Sequence, residues 1–211
     1  EHVWAQDPPT PSWYAGSLAQ HLPNNWRMDA LADPYGAKAV QDSTLYGWFA
    51  GILPDFDQRD PEVERYLIQN TLWWAGMTGI DAIRQDTWVY APRTFWRPWM
   101  AAIKREFPAV RVVGEVYDGD PAILAFHQGG VTQWDGIDVG VDALFDFPLF
   151  YPIRGAFAEG RSVRGLVETL AKDRLYKDPS SLVTFLGLHD VSRFMGERGA
   201  TIAGLKLAYT F

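Results

Sequence analysis

The chain has 211 residues, 47% of them hydrophobic, enough apolar material for the core of one domain or part of one. A formal net charge of −7 with no basic run argues against a nucleic-acid partner, because phosphate binding depends on clustered Lys and Arg. Zero cysteines exclude disulfides, thiolate zinc sites and a cysteine nucleophile, and no run of 18 apolar residues encodes a membrane span.

Residues 1 to about 58 are dense in Pro, Asp, Asn and aromatics with no sustained period, which predicts a long excursion of irregular loops. Such loops in a compact domain are usually functional. At Asp60-Pro61-Glu62 the text changes to a cap, a proline at the first helical position and an acid in the first turn. Val63, Tyr66, Leu67 and Trp74 follow at helical spacing, so a helix is predicted over 61–76. Gly79 leads into a strand over 80–86, a helix over 93–106 stopped before Pro108, a strand over 110–116 and a short helix near 120–128. A Gly- and Asp-rich loop at 129–140 precedes a strand over 143–147, a helical region over 149–173, a strand over 182–188 and a last helix from about 200.

This alternation predicts an α/β fold with a parallel sheet, part of a (β/α)8 barrel. Four strands cannot close an eight-stranded barrel. The chain also opens on Pro-rich loop text and stops inside a helix-like run, so it reads as a fragment that is unstable and inactive alone. Residues 1–20 lack the basic start and apolar run of a signal peptide, and the cellular compartment stays open.

Three acids sit at the ends of strand-like apolar runs: Asp86 closes GIDAIRQD, Glu115 lies in VRVVGEV, and Asp190 closes LVTFLGLHD. The residue just past the carboxyl end of a barrel strand is where that fold exposes its chemistry. Asp86 and Glu115 are 29 residues apart, one strand–helix unit, and Glu115 and Asp190 are 75 apart, roughly two such units. The three acids are therefore expected to converge on one pocket.

A retaining glycosidase needs one ionised and one protonated carboxyl across the scissile bond. Arg84, two residues before Asp86, projects to the same side of the strand, and its charge suits Asp86 to attack as an anion. Glu115, facing two negative groups, suits the protonated role. Asp190 is left to stabilise charge or bind sugar hydroxyls.

The 10 tryptophans and 15% aromatic content suit carbohydrate stacking. Trp88 and Tyr117, each two residues past a catalytic candidate, are the stacking candidates. His2, His21 and His127 have no partner at ligand spacing and read as surface or loop residues. Asp135, Asp138 and Asp142 lack the alternating pattern and glycine of a calcium loop, so no metal site is read. No phosphate-cradling glycine loop and no Gly-x-Ser-x-Gly elbow occur.

From about residue 45 onward the chain resembles the α-amylase superfamily, glycoside hydrolase family 13, in appearance closest to its neopullulanase and cyclomaltodextrinase type. The G-x-R-x-D strand motif of that family corresponds to Ile83-Arg84-Gln85-Asp86, which implies Asp86 as nucleophile. The strand ending G-E corresponds to Gly114-Glu115-Val116-Tyr117 and implies Glu115 as proton donor. The motif ending His-Asp corresponds to Leu188-His189-Asp190, implying Asp190 as transition-state stabiliser with His189 on the sugar. Leu53-Pro54-Asp55-Phe56-Asp57 resembles the segment that closes the family's inserted domain, and Phe145-Asp146-Phe147-Pro148 resembles its sixth strand. The resemblance thus implies barrel strands four to seven over 59–211, preceded over 1–58 by the tail of a loop-rich inserted domain.

Two positions depart from the pattern. Leu188 stands where Asn is usual, and Tyr90 where Lys or His is usual, four residues after the nucleophile. The family's Asp-x-x-x-x-His motif is absent and is expected just upstream of Glu1. The implied activity is retaining hydrolysis of α-linked glucans without a cofactor, calcium in the complete enzyme being left open. The other readings are an amylase-like domain that binds glucan without turnover, or a transglycosylase or α-1,6-glucosidase of the same superfamily.

Overall fold

A computed structural model describes residues 10–211. Its centre is a four-stranded parallel sheet in sequential order, β1 (Ala82–Gln85), β2 (Arg111–Gly114), β3 (Ala143–Phe145) and β4 (Leu182–Val183). Parallel neighbours need crossovers, and helices supply them. Helix α3 (Pro61–Thr78) leads into β1, α4 (Arg93–Glu106) and α5 (Pro121–His127) follow β1 and β2, and α6 (Phe147–Phe157) and α7 (Arg164–Leu170) separate β3 from β4. Helix α8 (Ile202–Ala208) comes last. This is the expected partial barrel.

The helix starts follow local chemistry. Asp60, Asp120 and Asp146 cap α3, α5 and α6 by accepting from the backbone N–H of Glu62, Ala122 and Leu149, each with a proline in the first two helical positions. Helix α3 stops where Gly79 takes a left-handed φ of 63°. The main core lies between the sheet and α4, where Trp88, Trp96, Trp99, Met100 and Ile103 pack with Val112 and Leu144. Trp88 stacks flat on Trp96 at 4.2 Å between ring centroids, and Trp96 Nε1 donates to the Trp88 carbonyl at 2.8 Å.

The strands are shorter than expected. Asp146 and Pro148 begin a helix at Phe147, so β3 ends at Phe145. The strand expected over 182–188 ends at Val183; the chain beyond it is irregular, and His189 and Asp190 lie in a turn. The helical region over 149–173 divides into α6, α7 and a 3-10 turn at Asp173–Leu175.

The first 58 residues correct the expectation of purely irregular loops: they contain α1 (Met28–Ala32) and α2 (Lys38–Tyr46). Helix α2 buries only Thr44, so it has no apolar stripe to betray it. It is held by side chains bonding its backbone instead. Asn24 Nδ2 donates to the Thr44 carbonyl and Asn25 Nδ2 to that of Val40, each at 3.0 Å.

Candidate active site

The register of β1 on β2 aligns Gln85 with Gly114, which sets Asp86 and Glu115 side by side at the strand ends. The Glu115 N–H donates to the Gln85 carbonyl at 2.9 Å, continuing the ladder to the acid itself. Asp190 arrives from the segment beyond β4.

Arg84 joins the three. Its Nη2 donates to Glu115 Oε1 at 2.6 Å and to Asp190 Oδ2 at 3.2 Å, while Nη1 lies 3.6 Å from Asp86 Oδ2. His189 Nε2 lies 3.0 Å from the same Asp190 oxygen. The acids differ in environment: the Glu115 side chain is 6% exposed, that of Asp86 62%. Burial pushes the Glu115 carboxyl above its ordinary range, and a hydrogen-bonding contact with Asp86 pushes the same way. The Thr87 N–H and Arg84 oppose this, but the loss of water around the buried side chain outweighs them.

These groups open on a cavity of about 790 Å³, a volume suited to a ligand of several rings. Asp86, Glu115, Tyr117 and Asp190 line it, so Tyr117 is placed to meet a ligand. Trp88 is not. It is fully buried, which corrects the expectation of a stacking role. The cause is local: Thr87 takes a left-handed φ of 48°, and the chain turns there so that the next ring enters the core. Gly114 makes room for it, since a Cβ there would lie 2.9 Å from Trp88 Cδ2.

The cavity is also lined by Trp26, Phe49 and Asp118, which sequence reasoning missed, and by Asp55 and Tyr90, which it named without a site role. Tyr90 and Asp55 carried a signal as part of motif text; Trp26 and Phe49 carried none. Asp55 is raised to about 8, by burial first and by Asp57 next, and its Oδ2 is buried without a hydrogen-bond partner. Asp118 is raised chiefly by burial.

The histidines separate. His21 lies in a loop as expected, stacked on Trp48 at 4.1 Å and bonded to the carbonyls of Ser17 and Gly51. His127 is buried with neither ring nitrogen partnered, which corrects its reading as a surface residue, and burial pushes it down to about 3. His2 lies outside the described residues. The loop acids are structural: Asp135 pairs with Arg93 at 2.6 Å, and Asp142 with Lys104 and Arg111. Asp138 accepts from the N–H groups of Gly130 and Gly140. Among the described residues no group of three or more His, Cys, Asp or Glu is placed to hold a metal, and no helix is long and apolar enough to cross a membrane.

No family model matches the chain. Known proteins do. It is 30% identical over 145 residues to a beta/alpha-amylase of Paenibacillus polymyxa, covering 69% of this chain and 11% of that protein. It is 26% identical over 167 residues to a cyclomaltodextrinase of Thermoanaerobacter pseudethanolicus, covering 75% of this chain and 26% of that enzyme. The crystal structure of an Anoxybacillus alpha-amylase superposes on all of this chain with a TM-score of 0.77 and 29% identity, and the match spans 42% of that structure. The chain therefore spans less than half the length of these relatives.

Proposed function

Because this chain belongs to the α-amylase superfamily, we propose that it carries the catalytic acids of a retaining hydrolase of α-linked glucans, such as maltooligosaccharides, cyclomaltodextrins, pullulan or starch. Asp86 attacks the anomeric carbon while Glu115 gives its proton to the departing glycosidic oxygen. Water then enters, Glu115 takes a proton from it, and its oxygen displaces Asp86 from the same carbon. Asp190 stabilises the developing positive charge, and His189 and Tyr117 bind the sugar.

One observation carries this reading: a single guanidinium, Arg84, lies within 4 Å of three carboxyls, two just past the ends of β1 and β2 and one in the turn beyond β4. The placement of Asp86 and Glu115 side by side past paired strand ends favours retention, because a retaining pair stands close across the scissile bond while an inverting pair leaves room for a water between acid and base. The upward push on Glu115 favours its role as the acid. In this reading residues 1–58 are the tail of an inserted domain, of which Asn24 to Asp55 contribute to one wall of the cavity.

The test is NMR of maltoheptaose hydrolysis by the full-length protein. The first-formed reducing end is expected to be the α-anomer, and a β-anomer formed first rejects the mechanism. Glucan binding without turnover supports a non-catalytic domain instead.

A further inference from the structure

Trp26 is half exposed, at 50%, and lines the same cavity as the three acids. Its backbone is left-handed, with φ of 61°, a conformation that residues with bulky side chains avoid. Two asparagines brace it there. The Trp26 N–H donates to Asn24 Oδ1 and the Arg27 N–H to Asn25 Oδ1, both at 2.9 Å. The amide nitrogens of the same two side chains reach back to carbonyls of α2, and Thr44 Oγ1 donates to Asn25 Oδ1 at 2.6 Å. A turn that favours Gly or Asn thus holds a tryptophan, tied to a helix on its far side.

The ring is not a core element. Its aromatic neighbours are Phe49 at 4.5 Å and Tyr90 at 5.8 Å, both near perpendicular at 78° and 87°, so neither ring lies flat against it. Tyr90 also lines the cavity and stands four residues after Asp86, which connects Trp26 to the acids at one remove. A large aromatic on a braced backbone at a cavity wall, without a flat partner, matches the apolar C–H face of a pyranose.

We propose that Trp26 is a stacking platform for a glucosyl unit other than the one cleaved, and that it selects for longer chains. The proposal rests on reading the cavity as an α-glucan site.

The experiment uses full-length protein carrying Asp86→Asn to stop turnover, titrated calorimetrically with maltotriose and maltoheptaose. Trp26→Gly removes the ring while suiting the left-handed backbone, and Trp26→Phe keeps an aromatic face. Trp26→Gly is expected to weaken maltoheptaose about tenfold and leave maltotriose within about twofold, with no fall in Tm and with most affinity kept by Trp26→Phe. Unchanged maltoheptaose affinity in Trp26→Gly overturns the platform, as does equal weakening of both sugars with a lowered Tm. If neither sugar binds with Trp26 intact, the substrate class falls and the platform with it. Trp26-dependent binding alongside an inactive Asp86 protein supports the platform while rejecting the catalytic roles.

Discussion

Arg84 Nη2 donates to Glu115 Oε1 at 2.6 Å, a bond from the strand of one acid to the strand of the next. The guanidinium meets a carboxyl that burial and Asp86 hold above its ordinary range, so cation and desolvation act on Glu115 in opposite directions. Whether Glu115 holds its proton depends on that balance.

Replacing Arg84 therefore disturbs all three acids at once. Arg84→Met is expected to lower kcat by about a hundredfold or more, on the scale of removing a preorganised electrostatic partner. Arg84→Lys should recover little, because an ammonium cannot span three carboxyls as a planar fork does. Steady-state kinetics on maltoheptaose decide it, and a loss under tenfold in Arg84→Met counts against the bridging role.

The pH dependence follows from the sign of the Glu115 shift. Between the unfolded and folded values the native state keeps a proton that the unfolded chain has released. The stability this gives is full below the unfolded value and is lost as pH rises through the folded one. In activity, the alkaline limb of kcat should lie above the usual glutamate range. Asp86→Asn removes a neighbouring charge and should lower the Glu115 titration, followed by carbon NMR of its labelled carboxyl; a value that rises instead contradicts the assigned cause.

Trp88 and Tyr117 occupy equivalent places in the sequence but opposite ones in space. Trp88→Ala is expected to cost about 3–5 kcal/mol by urea denaturation, because the residue is fully buried against Trp96. Tyr117→Ala, partly exposed at the cavity, should raise KM with a small change in stability. Comparable stability losses in the two variants would falsify this division.

Gly114 is required by packing. A methyl there would meet Trp88 Cδ2 at 2.9 Å and Leu144 Cδ2 at 3.0 Å. Gly114→Ala should destabilise by about 1–3 kcal/mol and displace the adjoining Glu115, lowering kcat as well. Thermal denaturation and kinetics of the one variant test both; an unchanged Tm shows that the Trp88 ring gives way.

Much of the candidate site was legible because strand ends announce themselves. GIDAIRQD and VRVVGEV are short apolar runs closing on an acid, and their spacing matches one crossover unit, so the pairing of Gln85 with Gly114 follows from topology. The helix starts at Asp60 and Asp120 were legible for the same reason: an Asp-Pro cap acts over two residues and needs nothing from the rest of the chain. Helix α2 was not, because Asn24 and Asn25 hold it from outside and no periodic apolar face exists to be read.

By itself the sequence determined the order of strands and helices from α3 onward, the three acids and the family they resemble. These depend on local burial patterns and on motif text. Only the tertiary structure decided which aromatics face the cavity. A left-handed residue at Thr87 turns Trp88 into the core, and another at Trp26 accompanies a ring set at the cavity wall. Such reversals are stabilised by packing and by hydrogen bonds to distant backbone, so no residue spacing along the chain records them.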